Sequence, residues 1–186
     1  MKNKTALESA EQILNKMIDI EYGFVSQAGE KIRETDEDFG KKYWNEYFLR
    51  SPKEIIISKT GSCWDQVELE RYYFNQEKIN TKTFFFVYYD HKNRNYPCHT
   101  LLTFECDNMF YWFEHSWFEM RGIHKYFSQK ELLKDAREKF IKSRPEIPSG
   151  YDPNKMCVYE YKKPNMGIGS LEFYQHCEAG NKITDL

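Results

Sequence analysis

Apolar positions near the N-terminus change from helical spacing to strand spacing and back. Residues 6–19 place apolar side chains every three or four positions, which predicts an amphipathic helix. Thr5 and Glu8 have the spacing of a capping box at its start. Residues 20–33 indicate a short hairpin or extended arm, which we expect to lie outside the main core. Residues 35–50 predict a second helix with an aromatic face.

The middle of the chain predicts a buried helix followed by strands. Ser51-Pro52 is expected to end the aromatic helix. Residues 63–74 contain no Gly or Pro, and their apolar side chains spread round most of the circumference, which is typical of a buried helix. Residues 81–89 form a β-rich run, and a charged loop is predicted over 90–95.

Two further β-rich runs flank Asp107-Asn108, a pair suited to a two-residue hairpin turn. With this turn, the numbers of paired residues sum to 215, so His99 and Glu114 share one face of the hairpin as diagonal neighbours. Such neighbours lie about 7–8 Å apart, within reach of long side chains. A three-residue loop would shift the register by one residue and put His115 in place of Glu114.

The C-terminal third adds a helix, a strand and a shorter helix. Ser128 and Glu131 form a second capping-box pattern, which opens a helix to about residue 142. Residues 157–161 predict one more strand, and residues 170–178 a short helix. Helices packed on three consecutive strands indicate an α+β fold with a largely antiparallel sheet.

Length and composition favour a single domain. The 186 residues are enough for one domain with its own core and too few for two ordinary domains. An apolar content of 40% with 30% charged residues predicts a globular protein. Within a single domain over 1–186, we expect an N-terminal helical and hairpin extension (1–50), a core (51–120), and C-terminal helices with a strand (121–186). The oligomeric state stays open.

Net charge, apolar windows and cysteine spacing limit the expected partners and location of the protein. A net charge of −2 without long basic runs argues against nucleic-acid binding. The absence of an apolar window of about 18 residues argues against a membrane span. The N-terminal residues lack the apolar region of a signal peptide. Five irregularly spaced cysteines favour a reduced, cytoplasmic protein without a disulfide framework.

Cys63 has the most distinctive chemical setting. It follows Gly61-Ser62 and begins the predicted helix, where unpaired N–H groups and the helix dipole favour an anion. Such a setting lowers the pKa of a thiol from about 8.5 to about 3.5–7.5 and makes it nucleophilic. Most free cysteines are inert apolar residues, so the interpretation depends on a base and an orienting group. His99 and Glu114 supply these residue types downstream.

The residue types that could bind zinc include Cys98, His99, Cys106 and His115. These residues contain no C-x-x-C motif. Cys98 and Cys106 are also eight residues apart in one predicted strand, which separates them by about 26 Å at about 3.3 Å per residue. We therefore expect no zinc and no other cofactor.

Three motifs of the middle segment resemble the transglutaminase-like superfamily of transglutaminases, peptide N-glycanases and microbial cysteine proteases and amidases. They are Gly61-Ser62-Cys63-Trp64-Asp65, His99 at the start of a strand, and the aromatic strand Tyr111-Trp112-Phe113-Glu114-His115. The resemblance covers about residues 54–120 and implies a papain- or transglutaminase-like core. It assigns Cys63 as the nucleophile, His99 as the base and Glu114 as the orienting residue. The chain differs in having Glu where Asp is usual, Thr-Leu after His99, and no Asp-Pro after the second strand.

The resemblance implies a thiol enzyme that attacks an amide of a protein or peptide through a thioester. Peptide hydrolysis, side-chain deamidation and cross-linking to an amine share the first half of that reaction. Hydrolysis is favoured because nothing in the chain marks a site for an amine. The alternatives are an inactive binding or scaffold protein on the same fold, and an acyltransferase with a small thioester donor, as in arylamine acetyltransferases.

An oxyanion site is expected at the start of the predicted helix. The backbone N–H of Cys63 is the first candidate donor. The rings of Trp44 and Tyr47 are weaker candidates, because their spacing is more typical of core residues.

Overall fold

A six-stranded antiparallel sheet forms the centre of the structure, a computed structural model that describes residues 4–91 and 96–186. Helices cover the sheet, so the predicted α+β class is confirmed. Residues 92–95 of the predicted charged loop lie outside the described residues.

The described residues form six α-helices and nine strands. The helices are α1 (Ala6–Lys16), α2 (Phe39–Glu46), α3 (Pro52–Ser58), α4 (Cys63–Gln76), α5 (Gln129–Ser143) and α6 (Ser170–Glu178). The strands are β1 (Glu21–Val25), β2 (Lys31–Arg33), β3 (Thr60–Gly61), β4 (Thr81–Tyr88), β5 (Cys98–Cys106), β6 (Met109–Glu114), β7 (Gly122–Tyr126), β8 (Met156–Tyr161) and β9 (Asn181–Lys182). The large sheet has the order β7-β6-β5-β4-β8-β9, and the small one has the order β2-β1-β3.

The two faces of the large sheet carry different cores. Leu69 of α4 packs with Leu102 and Phe113 on one face, together with α1. Leu132 of α5 packs with Trp112 on the opposite face. This separation follows from the alternation of side chains along each strand. The helix that begins at Cys63 is therefore packed across the sheet, as its apolar circumference predicts.

The turn between β5 and β6 has the predicted two-residue form. Asp107 and Asn108 have φ angles of 52° and 57°, and positive values at both positions are typical of a type I′ turn. Cys106 pairs with Met109, and the register continues to Leu102 and Phe113 with residue numbers that sum to 215. The register predicted from the sequence is confirmed.

Two predicted helix starts are also confirmed. Thr5 accepts a hydrogen bond from the Glu8 backbone N–H at 3.1 Å, and the Glu8 carboxylate accepts one from the Thr5 N–H at 2.7 Å. Ser128 accepts from the Glu131 N–H at 3.1 Å. These contacts satisfy N–H groups that have no partner within a helix.

The N-terminal hairpin does not lie outside the core, so that expectation is wrong. β1 pairs in parallel with β3, placing Tyr22 opposite Gly61, two residues before Cys63. The sequence analysis also missed α3, β3, β7 and β9. Ser51 and Pro52 begin α3 because Ser51 forms a capping box with Glu54 and Pro52 occupies the first helical turn, where its missing N–H has no cost.

Charged side chains are buried along α4. Arg71 donates to Glu68 at 3.0 Å and to the Thr83 hydroxyl at 2.6 Å, so this pair is satisfied. Glu70 is also buried, but its Oε2 has no hydrogen-bond partner in the described residues. Burial, and then the nearby charge of Glu114, raise the pKa of Glu70 well above its usual range.

Replacing Glu70 with Gln is expected to stabilise the protein at alkaline pH. The unfolded chain loses the Glu70 proton above its ordinary pKa of about 4.5, whereas the folded chain keeps it, so the free energy of unfolding falls as pH rises. Thermal melts should show Tm of Glu70→Gln higher by about 2–4 °C at pH 8 and nearly unchanged at pH 4. The exposed Glu11→Gln is the control. Equal effects at both pH values would contradict a buried, protonated Glu70.

Candidate active site

The start of α4 is held by a buried carboxylate two residues after Cys63. Asp65 accepts hydrogen bonds from the Ser62 N–H at 2.9 Å and the Ser62 hydroxyl at 3.0 Å. It also accepts from the Tyr47 hydroxyl at 3.1 Å and the Arg50 N–H at 3.0 Å. Burial raises the pKa of Asp65 to about 6 although these donors favour the carboxylate. The four contacts fix the turn from which Cys63 projects.

Gly61 is required by close packing against α4. A Cβ atom at this position would lie 2.9 Å from the Asp65 Cβ. Gln66 donates to the Gly61 carbonyl at 2.7 Å and accepts from Nδ1 of His115 at 2.6 Å. The backbone before Cys63 is thus tied both to its own helix and to the end of β6.

Aromatic rings surround the same turn. The Trp64 ring stacks on Phe173 of α6 with ring centroids 4.1 Å apart and an interplanar angle of 8°. Tyr43 and Tyr47 meet Trp64 edge-on at 5.1 and 5.2 Å. Such pairs add about 0.5–1.5 kcal/mol each to ordinary burial. They make the N-terminal end of α4 a rigid platform.

His99 and Glu114 are in direct contact. Nε2 of His99 donates to Oε2 of Glu114 at 2.8 Å, and both side chains are buried. The carboxylate also accepts from Trp112 Nε1 at 3.2 Å, the Ser116 hydroxyl at 3.0 Å and the Trp117 N–H at 2.9 Å. With every carboxylate lone pair directed at a donor, the imidazole is held in one orientation and Nδ1 is left for another group.

That other group is the sulfur of Cys63. Burial alone would raise the pKa of the Cys63 thiol, but hydrogen bonding to His99 and the charge of its ring outweigh it and give a net lowering. The Thr100 N–H and the Tyr22 hydroxyl act in the same direction. Burial lowers the pKa of His99, but the charge of Glu114 and the contact with Cys63 raise it to about 9. The pair therefore favours a thiolate beside an imidazolium.

The structure brings Cys63, His99 and Glu114 together in the order that the sequence analysis assigned. The carboxylate itself has a lowered pKa, because the charge and hydrogen bond of His99 outweigh the effect of burial. His115 contacts Gln66 instead, and burial followed by the charge of Arg121 lowers its pKa to about 4. Glu114, and not His115, is the residue beside His99.

Tyr22 is a site residue that the sequence analysis missed. Its hydroxyl donates to the Cys63 sulfur at 3.8 Å. Its side chain comes from the hairpin that we expected to lie elsewhere, and no local sequence signal identifies it. The two ring donors proposed from the sequence are engaged away from the sulfur: Tyr47 binds Asp65, and Trp44 is 46% exposed beside Tyr174.

A cleft of about 830 Å³ leads to this group. Its walls come from the β1–β2 hairpin, the segment after β6 and the C-terminal end of α5. It ends at Tyr22 and His99, the two side chains that hydrogen-bond the sulfur. Trp117 and Phe118 line the wall beside His99, and Phe118 is 76% exposed. The cleft is large enough for a short peptide segment.

Within residues 4–91 and 96–186, no group of three or more His, Cys, Asp or Glu side chains could hold a metal ion. All five cysteines are free. None of the helices that the structure describes is long and apolar enough to cross a membrane.

Comparison with known proteins does not add a family. No protein-family profile matches the chain, and no curated protein gives a match to it. The chemistry of the site is therefore argued from its own geometry.

Replacing His99 with Ala should raise the apparent pKa of the Cys63 thiol by about 1–3 units, because the thiolate loses a neighbouring cation. Glu114→Gln should raise it less, because the imidazole stays but loses the anion that favours its protonation. The measurement is the pH dependence of iodoacetamide alkylation, with Cys63 followed by mass spectrometry. Cys106→Ser is the control. An ordinary pKa near 8.5 in the wild type and both variants would exclude a thiolate–imidazolium pair.

Removing the Tyr22 hydroxyl should also raise the pKa of the Cys63 thiol, but by less than His99→Ala does. Tyr22→Phe is expected to raise the apparent thiol pKa by about half a unit to one unit, because one donor to the thiolate is lost. Tyr43→Phe is the matched control, since its hydroxyl binds Ser62 at 3.1 Å and does not contact the sulfur. The same alkylation profile separates the two variants. Equal shifts in both would assign the effect to the aromatic cluster and not to the contact with sulfur.

Proposed function

We propose that the protein is a cysteine-dependent amide hydrolase or acyl transferase of transglutaminase-like type. One observation carries the proposal: the Cys63 thiol, at the start of a buried helix, faces an imidazole whose Nε2 is held by Glu114 at 2.8 Å. Nucleophile, base and orienting group in this order are the elements of thiol catalysis. A helix that precedes an antiparallel sheet carrying His99 and Glu114 supports a papain- or transglutaminase-like core.

The proposed reaction begins with attack of the Cys63 thiolate on an amide carbonyl in the cleft. The C–S bond forms while the carbonyl π electrons move to oxygen, and the tetrahedral oxyanion faces the start of α4. The Cys63 N–H and the Tyr22 hydroxyl are the donors placed to stabilise it. Collapse breaks the C–N bond as His99 passes its proton to the leaving amine, which leaves a thioester.

The second half of the reaction decides the product. Water activated by neutral His99 would add to the thioester and release an acid, which completes peptide hydrolysis or side-chain deamidation. A second amine would instead give a new amide and a cross-link. We favour hydrolysis, because no feature among the described residues marks an amine site.

Two other functions use the same fold. An inactive binding or scaffold protein is less well supported, because a fold used only for binding does not require a buried carboxylate with four donors to orient one imidazole. An acyltransferase with a small thioester donor would need a donor pocket next to Cys63, and no feature among the described residues marks one. The five free cysteines support a location in the reducing cytoplasm.

The test is product analysis with an unstructured protein such as casein, alone and with a primary amine added. Mass spectrometry separates new chain ends, conversion of a side-chain amide to an acid, and incorporation of the amine. Cys63→Ala and His99→Ala should each lower the rate about a thousandfold or more, since the triad acts as a unit. Cys106→Ser should retain the wild-type rate.

The outcome that contradicts the proposal is equally specific. Wild-type protein that yields none of these products, and whose Cys63 alkylates as an ordinary thiol, would leave a binding or scaffold function. A product that persists in Cys63→Ala would point to a different nucleophile.

A further inference from the structure

The cleft that leads to Cys63 is lined by charged side chains of both signs. Four basic side chains lie along the side formed by α5 and the segment after β6: Arg121, Lys139, Lys142 and Arg144. Three carboxylates also line the cleft: Glu21, Glu34 and Glu119. A substrate that enters must match this pattern of charge.

Three of the four basic side chains already have partners within the protein. Arg121 donates to a backbone carbonyl, and both lysines pair with carboxylates one turn earlier on α5. The partners are the His115 carbonyl for Arg121 (2.9 Å), Asp135 for Lys139, and Glu138 for Lys142 (3.9 Å). These three cations are therefore not the first candidates for binding a ligand.

Arg144 is different. It follows α5 directly, and among the described residues no carboxylate lies within ion-pair distance of its guanidinium. Its Nε is buried and has no hydrogen-bond acceptor among these residues, and its guanidinium carbon lies 5.5 Å from the ring centroid of Phe140. A buried donor without an acceptor is costly, so an acceptor supplied from outside would be bound favourably.

The guanidinium is also close to the catalytic group. Arg144, Tyr22 and His99 line the same cleft. Burial and then the charge of Cys63 raise the pKa of Tyr22 well above its usual range, and the charge of Arg144 opposes them. Tyr22 donates to the Cys63 sulfur. A ligand on Arg144 would thus lie next to an amide attacked by Cys63.

We propose that Arg144 binds a carboxylate of the substrate, so that the cleft accepts acidic peptides with a carboxylate close to the amide attacked by Cys63. The inference rests on the proposed function and names its substrate class. The planar guanidinium matches a carboxylate with two parallel hydrogen bonds. The three cleft carboxylates disfavour a doubly charged phosphate. Exposed Phe118, with the Arg121 guanidinium 5.4 Å from its ring centroid, provides an apolar surface for a neighbouring part of the peptide.

The test compares two alkylating reagents that differ only in one charge. N-iodoacetylglycine carries a carboxylate, and N-iodoacetylglycinamide carries a neutral amide in its place. The measured quantity is the alkylation rate of Cys63 with N-iodoacetylglycine divided by its rate with N-iodoacetylglycinamide. Both rates are monitored by mass spectrometry at pH 7 and pH 9.5. In wild type the ratio should exceed that of 2-mercaptoethanol, because a cation near the sulfur attracts the charged reagent.

Arg144→Gln should lower this ratio about fivefold at low ionic strength. Arg144→Lys should lower it less, because the charge remains while the bidentate geometry is lost. Lys142→Gln is the matched control and should leave the ratio unchanged, because its side chain is 79% exposed and paired with Glu138. Thermal melts check that each variant is folded, and the Lys variant preserves the test if the Gln variant is not.

The ratio separates failure of this inference from failure of the proposed function. It compares two reagents at one sulfur, so it does not depend on the pKa of the thiol, and an unactivated Cys63 still reports it at pH 9.5. A reactive Cys63 whose ratio is unchanged by both Arg144 variants would overturn the role of Arg144 and leave the thiol enzyme intact. The role of Arg144 would also be overturned by a wild-type ratio equal to that of 2-mercaptoethanol, or by a Cys63 that neither reagent reaches.

Discussion

The two-residue turn at Asp107 and Asn108 is the constraint on which the site depends. It sets the register of β5 against β6, and a shift of one residue would move every side chain of β6 to the opposite face of the sheet. The contact between His99 and Glu114 would then be lost. Trp112 and Phe113, buried on opposite faces, oppose such a shift because each fits only its own core. Ordinary hydrophobic packing therefore holds the polar contact in place.

Glu114 and Glu70 show why the same residue type behaves differently in two buried positions. Both carboxyl groups are almost inaccessible to solvent. Glu114 has four donors and a neighbouring imidazolium, and its pKa is lowered. Glu70 has an unpartnered oxygen and a carboxylate neighbour, and its pKa is raised. Burial raises the pKa of both groups, and the charge and hydrogen bond of His99 beside Glu114 decide which carboxylate can serve as an anion.

The longer side chain of Glu114 also has a physical reason. From a diagonal position on the neighbouring strand it reaches Nε2 of His99 with one oxygen while the other binds the Trp117 N–H and the Ser116 hydroxyl beyond the strand end. A shorter Asp side chain would lose either the contact with His99 or the contacts beyond the strand end. The departure from the Asp of the superfamily that the sequence resembles is thus compatible with the geometry.

Local sequence patterns predicted the parts of the site that depend on local structure. The helix from Cys63, the caps at Thr5 and Ser128, and the register that brings His99 to Glu114 follow from spacing and turn chemistry. Tyr22 could not be predicted, because it reaches the sulfur only through a two-residue parallel pairing between segments about forty residues apart. The sequence analysis named Gly61 only as a residue preceding Cys63, and its constraint, the close approach of Asp65, depends on the packing of α4.

Arg144 was missed for a related reason. It stands in a Pro-containing segment that looks like a plain connection, and its position beside Tyr22 depends on how α5 packs on the far face of the sheet. The guanidinium also contributes to the net charge of the site. A thiolate, an imidazolium and a glutamate carry a net charge of −1, which would repel an anionic peptide from a low-dielectric cleft. For the proposed substrate class, a guanidinium in the same cleft offsets that charge, so that the proposed nucleophile can stay ionised while an acidic peptide binds beside it.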